Sequence, residues 1–330
     1  EDGMLKEFAE AYGIKVHHIP MEPVRPLSPL SPLRSIQRLR ACMEQSGIDL
    51  VHANSSRAAL FAGIAAYTRG IPMIWHVRIA GSDPKLDWLL ARLAARIVVN
   101  SRAVAKRFDH GAGSGKVQVV YNGVDTERFS PAEERDHIRR ELGFGPDEVI
   151  VLVMGRLTKE KGHPQFIDAA ARVRDPRCRF VMVGEEYPES GGPFTRNLQE
   201  KVRAYGLWEK VRFAGYQKSP ERWFQGADIL VVPSLEEGFG RAAAEGGACG
   251  LPVIASRVGG LSEVVSDGET GLLVEPNDPD GLALAIDKLA VDTSLSKAMG
   301  QAARERVRRT FRMDIHVRRL EAIYKEILSA

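Results

Sequence analysis

Short apolar runs alternate with helical segments twice along this chain, and that rhythm limits the fold more than any other feature. In the first series, residues 49–54, 72–77, 97–100 and 117–121 read as strands, with helices over 58–67 and 86–96. The second series starts with a strand at 149–154 and continues through strands at 179–184, 211–214 and 228–232, with one more after Leu251. Runs this short and apolar, joined by brief connections, predict parallel doubly wound sheets. At 330 residues the chain can bury two such cores. The Gly-Pro-Asp stretch at 145–147 puts the division near residue 146, giving a first domain over 1–146, a second over 147–312 and a final helix over 313–330. A further strand is expected at 14–19. Ligands of doubly wound sheets sit beyond the carboxyl ends of the strands, so residues at those ends are the candidates for chemistry.

One such end stands out. After the strand at 228–232 comes Ser-Leu-Glu-Glu-Gly-Phe-Gly-Arg-Ala-Ala-Ala-Glu-Gly-Gly, with Glu237 at the mouth of a turn and Glu245 about one turn inside a helix of small residues. Gly238 and Gly240 let backbone approach a ligand, and the N–H groups that begin a helix attract anions and hydroxyls. The Ala and Gly neighbours are expected to leave the Glu245 carboxylate open to a partner, although a surface Glu is more often merely solvated. Arg156 and Lys161 flank the turn after the strand at 149–154, where such a sheet would hold a diphosphate. His76 ends a strand in Ile-Trp-His-Val-Arg, with Arg78 two residues on. A lone His there is commonly scaffold. Tyr216 follows the strand at 211–214.

The segment from Glu237 to Glu245 resembles the Glu-x7-Glu signature of retaining glycosyltransferases of family 4 (group 1), and the other motifs follow that family's order over nearly the whole chain. The resemblance implies an α/β fold of the GT-B type: two doubly wound Rossmann-like domains facing a central cleft, with the C-terminal helix crossing back to the first. It implies catalytic roles for Glu237 and for His76, which would face the donor sugar. Arg156, Lys161, Gly240 and Arg241 would hold the donor diphosphate, Gly238 and Phe239 the donor sugar, Glu245 the ribose and Tyr216 the base. No cofactor is implied, because the nucleoside-diphosphate sugar is a co-substrate. The implied reaction is metal-independent transfer of a hexose, with retention, to a hydroxyl of a glycan, lipid or small molecule, as in cell-envelope glycan biosynthesis. The family pattern starts one strand and one Gly-rich turn earlier than Glu1, so the first domain is expected to be incomplete here. Two alternatives stand beside this reading: a nucleotide-sugar 2-epimerase of the same fold, which uses different carboxylates and histidines, and a nucleotide-sugar-binding module without turnover.

Other patterns fail on chemistry. His110-Gly-Ala-Gly-Ser-Gly-Lys116 lacks the first Gly and the Ser or Thr of a P-loop, and a helix precedes it where a strand is required. Asp278-Pro-Asp280 matches a D-x-D metal motif in form, but Asp before Pro reads better as a helix N-cap. No zinc spacing occurs, so no metal is expected. The net charge of +3 comes from a modestly basic first half without aromatic-interleaved basic runs, which argues against nucleic acid. Cys42, Cys178 and Cys249 have no pairing pattern and read as reduced thiols. No apolar run approaches the roughly 18 residues of a membrane span, so the cytoplasm is the expected location. A helix from Ser31 sets Leu33, Ile36, Leu39 and Met43 on one face and Arg34, Arg38 and Arg40 elsewhere. That pattern permits peripheral contact with anionic lipid at the inner face of the membrane, although packing on a sheet is its commoner use.

Overall fold

The computed structural model describes residues 4–21, 31–111, 113–187 and 192–329. After α1 (Met4–Ala11) and α2 (Ser31–Gln45), the first unit runs β1 (Val51–Ala53), α3 (Ser56–Tyr67), β2 (Met73–Val77), α4 (Pro84–Leu93), β3 (Arg96–Val99), α5 (Arg102–Ala105) and β4 (Val117–Val119). Its four strands pair in the order β1-β2-β3-β4, all parallel. Next come α6 (Arg135–Glu141), β5 (Val149–Met154), α7 (His163–Ala170), β6 (Cys178–Val183), α8 (Pro193–Ala204), β7 (Val211–Gly215), α9 (Pro220–Gly226), β8 (Ile229–Val232), α10 (Arg241–Ala248), β9 (Val253–Ser256), α11 (Leu261–Val264) and β10 (Gly271–Val274). These six strands form a parallel sheet of order β10-β9-β8-β5-β6-β7. The chain ends in α12 (Pro279–Val291), α13 (Thr293–Thr310) and α14 (Met313–Leu328).

The apolar runs are explained by burial on both faces. In β5 and β8, Ile150, Leu152, Leu230 and Val232 enter one core, and Val151, Val153, Ile229 and Val231 enter the other. The first core receives α10 and α13, the second α7 and α12. The small residues of α10 serve this packing: Ala243, Ala244, Gly246 and Gly247 are buried, and a Cβ on Gly246 would lie 2.4 Å from Leu230 Cδ2.

The first sheet packs Trp75, Val77, Ile97 and Val99 under α3 and α4. Its other face, Ile74, Val98 and Val120, is covered by Leu320, Ile323, Tyr324 and Ile327 of α14, so the last helix does cross back. At the crossing Val124 N donates to Phe311 O (2.7 Å) and Met313 N to Val124 O (3.0 Å). Gly123 is needed beside this bridge, because its Cβ would come 2.7 Å from Met313 Cα.

Three local features differ from the sequence reading, and one agrees with it. Residues 14–19 form no strand, for no ladder partner lies beside them among the described residues. The segment between β4 and β5 packs on the second unit well before residue 146: Val124, Phe129 and Phe144 enter its core, and α6 lies against α9. In α2, Ile36, Leu39 and Met43 pack inward, while Leu33 is 51% exposed and leaves that face. Asp278 does cap α12, its carboxylate accepting from Gly281 N at 2.9 Å.

Candidate active site

In the second sheet, chain order runs one way from β5 to β7 and the other way from β8 to β10, so a crevice opens between the carboxyl ends of β5 and β8. The turn after β5 is clasped to the end of β8. Gly162 sits at φ +68°, and a Cβ there would lie 1.8 Å from Pro233 O; Leu235 N donates to Glu160 O at 2.8 Å. This clasp brings Lys161 Nζ to 2.6 Å from Glu237 Oε2, across 76 residues of sequence. Ser234 Oγ lies 3.5 Å from the same carboxylate oxygen.

The Glu237 loop is held from below by the turn after β9. Gly260 N donates to Glu237 O at 3.1 Å, and a Cβ on Gly259 would be 1.9 Å from that carbonyl. Gly240, at φ +100°, begins α10 with no side chain capping it. The first-turn N–H groups of α10 have no intrahelical acceptor and are available to an anion.

The first unit meets this loop directly. A Cβ on Gly238 would fall 2.5 Å from Arg78 O, to which Asn100 Nδ2 donates at 3.0 Å. Arg78 follows β2. Its guanidinium donates to Asn54 Oδ1 (2.9 Å) and Asn122 Oδ1 (2.9 Å) and lies 3.3 Å from His76 Nδ1. Burial, then the Arg241 charge, lowers its pKa. His76 is fully buried on the face of β2 that α14 covers, and His52 Nε2 is 3.0 Å from its Nδ1. Burial, with the Arg78 charge, drops His76 to about 2 and His52 to about 4. A separate contact joins the units: Glu263 of α11 accepts from Arg102 N (3.0 Å), Ala103 N (2.8 Å) and Tyr121 Oη (2.8 Å).

Thus Lys161, Glu237, Gly238 and Gly240 share one crevice, and the β2 loop beside His76 closes against it. The remaining candidates stand differently. Glu245 is not open: Arg241 Nη2 lies 2.8 Å from its Oε1, because both sit one turn apart on the same helix face. The Phe239 ring is buried against Tyr121 and Phe311, so only its backbone can meet a ligand. Arg156 stacks on the Tyr187 ring, 4.6 Å from its centroid. Tyr216 is 53% exposed beyond β7, two strands away from β5. Sequence reasoning missed Tyr324, Asn54 and Asn122, and His316 of α14, whose Nδ1 lies 2.7 Å from Tyr121 O and whose ring is tilted against that of His76; the neighbours of all four are remote in sequence, and Glu263 was given no role. No group of His, Cys, Asp or Glu fit to hold a metal occurs among the described residues.

Two parallel doubly wound sheets with facing carboxyl ends, a crevice at the switch point of the second and a helix returning to the first define the GT-B class of glycosyltransferases. Comparison with known proteins agrees. Residues 134–306 match the model of "Glycosyl transferases group 1" and residues 2–128 that of "Glycosyltransferase Family 4". The chain belongs to glycosyltransferase family 4, the group 1 glycosyltransferases. It is 31% identical over 328 residues to a D-inositol 3-phosphate glycosyltransferase of Nocardiopsis dassonvillei, covering 89% of this chain and 76% of that one. To the protein of the same description from Streptomyces bingchenggensis it is 34% identical over 272 residues, covering 79% of this chain; it spans only 58% of that relative's length. Among solved structures, Anabaena HepE in complex with UDP superposes with a TM-score of 0.87 at 25% identity, covering 98% of this chain and 90% of that one. Sucrose-phosphate synthase from Thermosynechococcus elongatus gives 0.84 at 26% identity, over 94% and 83%.

Proposed function

We propose that this chain carries out metal-independent, retaining transfer of a hexose from a nucleoside-diphosphate sugar to an acceptor hydroxyl. The observation that carries the reading is the Lys161–Glu237 pair at the switch-point crevice, 2.6 Å apart beside the uncapped start of α10. Expulsion of a nucleoside diphosphate leaves charge on oxygen. Lys161, the N–H groups of Gly240 and Arg241, and Arg156 swung from Tyr187 are the groups to meet it. One aligned donor of this kind is worth about 3 kcal/mol in the transition state. In this reading Glu237 releases Lys161 to the diphosphate, takes sugar hydroxyls together with the N–H groups of Phe239 and Gly240, and favours positive charge at the anomeric carbon. The departing phosphate oxygen takes the acceptor's proton, so Glu237 is not a nucleophile. Glu245 reaches ribose hydroxyls once Arg241 turns to the diphosphate, and Tyr216 adjoins the base.

HepE was crystallised with UDP and with UDP-glucose, which makes uridine diphosphate sugars the first donors to try. The names of the actinobacterial relatives make a phosphorylated polyol the first acceptor, ahead of glycans and lipids. Incubation with labelled donors, with and without acceptor, tests the proposal: transfer or slow donor hydrolysis is expected, and both should vanish in Glu237→Ala and Lys161→Ala. Donor binding without turnover under every condition would leave a binding module instead. We also place the protein in the cytoplasm, with any contact to the inner face of the membrane made by Arg34, Arg38, Arg40 and the exposed Leu33. Binding to anionic liposomes that survives replacement of all three arginines by Ala would remove that contact.

A further inference from the structure

A chain of hydrogen bonds runs from the crossing helix to His76, and one of its members dictates the direction of all the others. Arg78 Nη2 is 3.3 Å from His76 Nδ1. A guanidinium has donors only, so Nδ1 must be the accepting nitrogen. In a neutral imidazole the proton then sits on Nε2. His52 Nε2 lies 3.0 Å from the same Nδ1 and must also donate to it. His52 is left with Nδ1 as an acceptor, 2.5 Å from Tyr324 Oη, which must give its hydrogen. Burial keeps each member in the state this order needs: it holds both imidazoles neutral and raises the Tyr324 pKa. At the far end, His76 Nε2 is buried with no partner among the described residues. A buried donor left unpaired is costly, and this one belongs to the residue whose neighbour, Arg78, touches the Gly238 turn.

We propose that Tyr324 and His52 are positioning residues that reinforce His76 as an Nε2–H donor, so that docking of α14 onto the first sheet sets the proton order at the end of β2. The sugar oxygen as the waiting acceptor rests on the functional reading above; the order of protons does not. Without the Tyr324 hydroxyl, His52 is free to carry its proton on Nδ1. Its unprotonated Nε2 would then no longer donate to His76 Nδ1, and the Arg78 contact at 3.3 Å would be left alone to hold that tautomer.

Nitrogen-15 spectra of the histidine side chains in the ligand-free chain at pH 7 test the order directly. Both His52 and His76 should appear as neutral Nε2–H forms, and Tyr324→Phe should convert His52 to a mixture while the thermal midpoint stays close to wild type. An Nδ1–H signal for His76 in the wild type, or unchanged His52 spectra in Tyr324→Phe, overturns the proposal. Calorimetry with uridine diphosphate and with its glucose ester supplies the second arm. Tyr324→Phe and His52→Leu should bind the bare diphosphate as wild type does but lose about tenfold of the affinity added by the sugar, the scale of one hydrogen bond. His52→Gln, whose amide N–H can stand in for Nε2–H, should regain most of it. The predicted spectra in a wild-type chain that ignores both ligands would support the relay and discard the functional reading.

Discussion

Glu237 and Lys161 were each readable as candidates from their local motifs, but their pairing was not, since 76 residues separate them. What joins them is the clasp between the turn after β5 and the end of β8, made by the close approach of Gly162 to Pro233 and by the Leu235–Glu160 backbone hydrogen bond. Replacing that glycine by Ala forces a side chain into the left-handed region and a Cβ to 1.8 Å from Pro233 O, so a loss of about 3 kcal/mol or more is expected in urea unfolding. Glu245 shows the opposite failure. Its small neighbours suggested an open carboxylate, yet the side chain one helical turn back had a claim on it that the reading overlooked. The histidines carry a pH prediction. His52 and His76 titrate in the folded protein at about 4 and about 2, below the ordinary 6.5. Their contribution to stability is therefore fully present above pH 6.5 and is lost as pH falls toward those values, because the unfolded chain binds the protons first. The thermal midpoint should drop between pH 6.5 and 5, and less steeply in His52→Gln.

Among the elements, the strands of the second unit were the most legible: the strand expected at 149–154 coincides with β5, buried on both faces. Residues 14–19 carried a strand signal of their own and failed, since a strand is completed by a neighbour rather than by its own residues. Ser130-Pro-Ala-Glu133 has the spacing of a capping box but does not start a helix. Ser130 Oγ instead donates to Glu127 O, and α6 starts five residues later at Arg135. The composition of α10 was visible while its reason was hidden, because closeness to the sheet can be seen only with the sheet in place. Gly246→Ala would press a Cβ to 2.4 Å from Leu230 Cδ2. Overpacking of that kind costs about 1–3 kcal/mol, which chemical denaturation should register without change in the far-ultraviolet spectrum of the native state.

For the whole molecule, the two units meet through the Gly238–Arg78 approach, the α14 crossing and the Glu263 carboxylate. Glu263 ties the start of α5 and the Tyr121 hydroxyl to the second unit through three hydrogen bonds. Glu263→Ala should loosen the units, raising the radius of gyration in solution scattering, while each sheet keeps its core. The sequence by itself determined that there would be two parallel doubly wound sheets, where most of their strands would lie and which strand ends carried charge, because apolar periodicity and turn residues are local signals; it placed a strand at 14–19 that does not form and gave none for β10. Only the tertiary structure decided which ends face each other, that Lys161 meets Glu237, and that Tyr324 of the last helix reaches His52 of the first strand. Such contacts depend on strand order and on a chain that returns to its own beginning, and no run of neighbouring residues encodes either one.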